Sequence, residues 1–284
     1  MTLKRARLML DNHTLTATSV TVSPSPDAGY PASNLQDGQR RKICRVTGAT
    51  LTAVIRLTTT PWVHALMLTG LGYPVDATVT LKGHTVDGDW SNATVILDNQ
   101  PAYPSAAAWG GGRWGEYGWG GYIASGLAPY YRAVSAHYFD LQTWEWYRLT
   151  ITSPTASTIG LGVLGLCSMV EAARNFRQPW TLAPVDPTEM VETSSDDLAP
   201  GRRGQSYDTA DLDFSNWPSA DAWDIHLRLK NIGRRDPVFI ALHPESGSVD
   251  EACTTLYGRI TDYSGLTRLG PNLNKFSIKF REMT

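Results

Sequence analysis

What this chain of 284 residues has little of narrows its chemistry first. It carries three cysteines, Cys44, Cys167 and Cys253, far apart in sequence. No CxxC occurs and no histidine–cysteine cluster has zinc spacing, so a structural zinc site is not encoded. An odd count leaves at least one free thiol. That fits synthesis in a reducing compartment, with buried cysteine serving as a small hydrophobe. Charge is also sparse. Charged residues make up 18% of the chain, and 25 Lys and Arg against 27 Asp and Glu give a net charge of −2. No basic footprint for nucleic acid results. The tight basic pairs, Arg40-Arg41, Arg202-Arg203 and Arg234-Arg235, read as solvated surface.

Long apolar runs are missing as well. The best, residues 159–170, is broken by glycines and polar residues and reads as a buried strand rather than a membrane span. The basic start, Met1 to Arg7, is followed only by Leu8-Met9-Leu10, too short for a signal-peptide core. Assembly in the cytoplasm is therefore expected. The six histidines, His13, His64, His84, His137, His226 and His243, are dispersed. None falls in HxH or HExxH, no serine sits in GxSxG, and no phosphate-cradling GxxxxGK[ST] occurs. Asp87 and Asp89 flank Gly88, which reads as a hairpin turn before it reads as a cation site. Glu116 is a lone carboxylate where glycoside hydrolysis normally needs two. No enzyme, cofactor or metal is expected from this inventory.

What is present is β-structure. Thr, Val, Gly, Pro and aromatic residues dominate residues 14–169. Strand-like runs at 15–23, 50–57, 62–70, 77–83, 93–97, 147–152 and 159–166 are separated by turn residues, among them Asp76, Asp87-Gly88 and Asp98-Asn99. This pattern predicts a sandwich. Alternation places Tyr147, Leu149 and Ile151 toward a core, with Trp146 and Arg148 on the opposite face. Residues 171–206 hold Pro179, Pro184, Pro187 and Pro200 among acidic residues and glycines, and read as an extended linker or arm.

The last stretch, 207–284, opens with a strand at 208–214. Ser219 is a helix cap, with Asp221 in the first turn and Gly233 as the stop. On that helix Trp223, Leu227 and Lys230 share one side, and Ile225, Leu229 and Ile232 another. Residues 223–229 also alternate with period two, which keeps a strand open there. Strands at 237–242, 255–261 and 274–281 follow.

Several phrases carry a resemblance. They are Tyr30-Pro31-Ala32-Ser33-Asn34-Leu35-Gln36-Asp37-Gly38, then Cys44-Arg45, Asp87-Gly88-Asp89-Trp90, and Trp146-Tyr147-Arg148-Leu149-Thr150-Ile151. In that order they resemble the discoidin, or galactose-binding-like, β-sandwich. The loop Asn34 to Gly38 needs side-chain-to-backbone hydrogen bonds and a residue tolerant of positive φ. Some members of that family bind calcium near this loop, but no extra carboxylates surround it here. In the last stretch, Asp236-Pro237-Val238-Phe239-Ile240, Leu256-Tyr257-Gly258-Arg259-Ile260 and Phe276-Ser277-Ile278-Lys279-Phe280-Arg281 resemble the small sandwich-plus-helix domain of phage tail-tube and tail-tip ring proteins. The expected fold class is mainly β. A jelly-roll, galactose-binding-like sandwich spans 1–170 with an aromatic and glycine-rich insertion at 104–125. A proline-rich arm spans 171–206, and a small tail-tube-like β-sandwich with one helix spans 207–284.

The insertion holds the candidate binding residues Trp109, Trp114, Tyr117, Trp119 and Tyr122, set among glycines. Their spacing fits neither helix nor strand. Three readings stand: a loop whose aromatic faces stack on sugar or enter a partner's pocket, an insertion folded back on the sandwich, or a contact with a neighbouring virion protein. Together the two resemblances imply a structural protein of the virion, at the distal tail, tail tip or baseplate of a bacteriophage. Its partners would be other copies in an oligomeric ring and other viral tail proteins. The alternative is a carbohydrate-binding protein recognising host surface glycans. A polysaccharide-degrading enzyme with a binding domain comes third.

Overall fold

The computed structural model describes residues 5–74, 76–103, 134–176, 180–188, 190–192, 198–200, 205–244, 251 and 254–283. The chain divides into two compact units. One comprises Met1–Ala172 and Val238–Tyr257, the other Ala173–Pro237 and Gly258–Thr284. The chain thus leaves the first unit after residue 172 and returns to it for Val238–Tyr257.

The first unit is an antiparallel two-sheet β-sandwich. Its strands are β1 (Arg7–Asn12), β2 (Ser19–Ser23), β3 (Cys44–Thr47), β4 (Thr50–Arg56), β5 (Val63–Thr69), β6 (Thr78–His84), β7 (Thr94–Pro101), β8 (Val134–Gln142), β9 (Trp146–Thr152), β10 (Thr158–Leu161) and β11 (Val163–Glu171). One sheet has the order β2-β4-β9-β6-β7. In the other, β1 pairs with β11, β11 with β5, and β5 with β8. A short ladder joins β10 to β3.

The reason for this layering is legible in β4, β6 and β9, where buried and half-buried residues alternate. Leu51, Ala53, Ile55, Val79, Leu81, Tyr147, Leu149 and Ile151 all point into one core with Val63, Leu66, Leu68, Leu164 and Leu166 from the other sheet. Side chains two apart share a face, so one register error would turn the whole set outward.

Residues 159–166 are two strands, not one. The break is Gly162, which lies against Gly70. A Cβ on Gly70 would stand 2.7 Å from the Arg40 carbonyl oxygen and 2.9 Å from Gly162 Cα. Only glycine admits backbones that close.

Two other expectations change. Residues 15–23 are not a single strand, because His13–Thr16 is a 3-10 turn whose cap Asn12 accepts the Thr14 N–H at 3.1 Å. Asp98-Asn99 is not a turn between strands. Asn99 adopts φ +44° inside β7, where its N–H donates to Thr80 Oγ1 at 3.2 Å, and the ladder to β6 is bulged there. The loop at 34–38 follows its chemistry: Asn34 Nδ2 donates to the Ile43 carbonyl at 2.8 Å, and Gly38 sits at φ +73°.

The second unit includes β12 (Thr181–Val185), the short pair β13 (Met190–Glu192) and β14 (Leu198–Pro200), β15 (Tyr207–Pro218) and α1 (Ser219–Ile232). After β16 (Val238–Ala241), which pairs with β1 in the first unit, come β17 (Thr255–Tyr263), β18 (Thr267–Gly270) and β19 (Leu273–Glu282). In this unit β15 lies between β12 and β19, and β17 and β18 both pair with β19. Inside the stretch expected to be an arm, Thr181–Val185 is therefore a strand. Pro184 is tolerated because β12 stands at the sheet's edge.

The aromatic cluster of this unit stacks Phe214 on Phe276 at 5.0 Å, with Trp217 edge-on to Phe276 at 5.2 Å. Trp217 Nε1 donates to the Arg174 carbonyl at 2.9 Å, so the buried indole keeps a partner. Residues 223–229 are helical, and α1 buries Ala222, Ile225, Leu229 and Ile232. Ser219 does not cap it. Its hydroxyl instead accepts from Asn274 Nδ2 at 3.0 Å, and Pro218 occupies the cap position.

Leu149 is fully buried at the middle of the core. Leu149→Ala is expected to lower the unfolding free energy by about 2–5 kcal/mol, measured by denaturant titration. A loss under about 0.5 kcal/mol, the level of surface sites, would contradict the register.

His137 pairs with core residue Leu66 and so shares its face, with Nε2 2.9 Å from Ser135 Oγ. Loss of hydration pushes its ring down to about 4 from an ordinary 6.5. Between those values the unfolded chain binds the extra proton, so the contribution of this ring to stability is full above pH 6.5 and is lost as pH drops toward 4. His137→Gln is expected to flatten this limb of the stability–pH curve. Parallel curves for parent and variant over that window would refute the assignment.

Candidate binding face

Trp109, Trp114, Tyr117, Trp119, Tyr122 and Glu116 fall within 104–133, outside the described residues, as does Cys253. The other sequence candidates are found in structural roles. Gly88 turns at φ +110°. The Asp89 carboxylate accepts the Ser91 N–H at 2.9 Å and its hydroxyl at 2.6 Å. These bonds hold its carboxyl below the usual carboxylate range. Asp37 is ion-paired with Lys42. Burial pushes the Cys44 thiol up to about 11 and raises that of Cys167, so both stay protonated hydrophobes. His13 Nε2 meets Ser168 Oγ at 2.7 Å, and His226 Nδ1 meets Tyr263 Oη at 2.9 Å. Among the described residues no three His, Cys, Asp or Glu gather as a metal would require.

The structure assembles a different set, on the outer face of β2-β4-β9-β6-β7. The alternation that sends Tyr147, Leu149 and Ile151 inward leaves Trp146, Arg148, Thr150 and Thr152 outward. Register then builds rows across the sheet. Arg56, Trp146 and His84 stand side by side on β4, β9 and β6. The next row is Val54, Arg148 and Lys82, followed by Thr52, Thr150 and Thr80, and by Thr50, Thr152 and Thr78. All but Arg56, which is exposed, are half-buried, as expected of a flat sheet surface.

Aromatic and cationic groups interlock at one end of this face. The Arg56 guanidinium lies 5.2 Å from the Trp146 ring centroid, and its Nε donates to Glu145 Oε1 at 2.9 Å. Arg148 lies 5.3 Å from the centroid of Trp90, a ring that is almost wholly buried. His84 meets Trp90 edge-on at 6.1 Å. Its Nδ1 accepts the Val86 N–H at 2.8 Å, which leaves Nε2 as the ring's donor. Cation–aromatic contact of this kind contributes about 0.5–1 kcal/mol at an exposed site and fixes both partners in place. The other end of the face is a grid of threonine hydroxyls.

Sequence reasoning set Trp146 and Arg148 opposite the core but did not gather Arg56, Lys82, His84 and Trp90 around them. The signal was available in the alternation of β6, where Lys82 and His84 fall at the non-core positions. Which strand adjoins β9 is a long-range fact that alternation does not carry.

On α1, Trp223 and Leu227 lie one turn apart and are 56% and 57% exposed. Trp223 rests edge-on against His226 at 5.5 Å.

No family model matches the chain, and no curated protein does. Solved structures do match. A chitosan-binding module from a Paenibacillus chitosanase/glucanase is 14% identical, with a TM-score of 0.39, over 56% of this chain and 99% of its own. The CBM32 of AlyQ, solved with 4,5-unsaturated mannuronic acid, is 13% identical with a TM-score of 0.36, over 53% and 94%. A reduced XRCC1 structure bound to the DNA polymerase β catalytic domain is 18% identical with a TM-score of 0.37, over 54% and 94%.

Proposed function

We propose that the chain is a non-catalytic binding protein whose first unit recognises carbohydrate on the outer face of its five-stranded sheet. The observation that carries this reading is Trp146 fixed by Arg56 beside His84 and a field of threonine hydroxyls. Sugars present apolar C–H faces and rings of hydroxyls. An aromatic plane takes the first, and planar donors with hydroxyls take the second. Rigid strands hold these groups in place, so little ordering is needed on binding. The neighbouring carboxylate of Glu145 is engaged by Arg56, which supports binding rather than hydrolysis. Trp146→Ala is expected to weaken oligosaccharide binding on the order of tenfold by calorimetry, with the melting temperature nearly unchanged. A parent protein that binds nothing on a broad glycan array would refute the reading.

One observation favours the second reading, a structural subunit of a phage tail tip or baseplate that forms or decorates a ring. Exposed Trp223 and Leu227 make an apolar pair on α1 of the kind buried at subunit contacts. This reading places the protein in the virion, after assembly in the host cytoplasm. It expects a defined oligomer by light scattering, converted to monomer by the double change Trp223→Ser and Leu227→Ser without loss of helix. A parent that stays monomeric at high concentration would rule it out.

A further inference from the structure

Within the proposed sugar-binding face, one juxtaposition sets the charge of the ligand. Lys82 and Arg148 stand directly opposite each other on β6 and β9. Cross-strand neighbours in this position have Cβ atoms about 4.5–5.5 Å apart, and like charges there are destabilising. Neither side chain is paired with a carboxylate among the described residues. Arg148 is held by the Trp90 ring instead, and its Nε is screened from water without a hydrogen-bond partner. The nearby acids are committed elsewhere, Glu145 to Arg56 and Asp89 to Ser91. Two cationic side chains thus share one register position on the outer face, with no carboxylate of the described residues paired to either.

Trp146 is the next outward residue along β9 from Arg148, about 7 Å away at the strand's rise. That separation is the span of one pyranose ring with an acidic substituent.

We infer that the face binds an acidic sugar: the pyranose ring lies against Trp146, and its anionic group sits between Lys82 Nζ and the Arg148 guanidinium. The inference rests on the carbohydrate-binding reading and adds the ligand's charge to it. A carboxylate or a sulfate offers the required anionic oxygens, and both form charge-assisted hydrogen bonds with such a pair. A nucleic-acid backbone is disfavoured, because the chain's net charge is −2 and the cationic spot is only two side chains wide.

The test compares galacturonate oligomers with their carboxyl-reduced, neutral counterparts, alongside sulfated oligosaccharides and single-stranded DNA, by calorimetry at low and high salt. The acidic oligomers are expected to bind on the order of tenfold more tightly than the neutral ones. The preference should shrink as salt rises. Lys82→Met should bring the acidic-to-neutral ratio close to one, and Lys82→Arg should restore it. Preference for galacturonate over the sulfated sugar assigns the group as carboxylate, and the reverse assigns it as sulfate. Equal binding of acidic and neutral oligomers overturns the inference while leaving carbohydrate binding intact. Binding of single-stranded DNA as tight as that of the acidic sugar overturns it as well. Absence of binding to any sugar removes both the inference and the reading beneath it.

Discussion

The period-two alternation of β4, β9 and β6 is the constraint on which the rest of the first unit depends. Three adjacent strands each send every second side chain into the same core, and the intervening residues have nowhere to go but the outer face. The rows of that face are therefore a by-product of core burial. Arg56 meets Trp146 because Ile55 and Tyr147 are both buried, not because the two were brought together by a loop. A surface built in this way has the stiffness of the core behind it. Its geometry is as hard to disturb as the packing of Leu149.

The two units offer different kinds of surface. The sheet face of the first is flat, polar and studded with cations held on aromatic rings, which suits a hydroxyl-rich ligand that must be bound without deep burial. The α1 surface of the second exposes Trp223 and Leu227 one turn apart, among the exposed polar side chains of Asp221, Asp224 and Lys230. The outer sheet face and the exposed side of α1 reside on elements with no side chain in common, so either can be altered without touching the other.

Local patterns in the sequence were sufficient for most strands, because alternation is a short-range signal; helical spacing pointed to α1, but period-two alternation over residues 223–229 kept a strand open there. They were also sufficient to place Trp146 and Arg148 opposite the core. They failed where a distant group intervened. Gly162 ends a strand because the Arg40 carbonyl and Gly70 approach it, and nothing in residues 159–166 records that. Asn99 looks like a turn residue, yet Thr80 on the neighbouring strand draws it into a bulge. Ser219 looks like a cap, yet Asn274 takes its hydroxyl. The candidate face was missed for the same reason. Each residue was visible in its strand, but the order β4-β9-β6, which makes them neighbours, is set by the pairing of strands many residues apart.

The return of Val238–Tyr257 to the first unit bears on how this protein can be divided. β1 lies between β11 and β16, with Leu8 opposite both Val170 and Ile240. A fragment ending near residue 172 would look complete by its strand content, yet it would lack β16 and leave one side of β1 with open backbone donors and acceptors. Such an edge invites pairing with other chains. The sandwich is thus discontinuous in sequence. Its closing segment is made only after the chain has passed through β15 and α1, so during synthesis the first unit waits on residues 173–237.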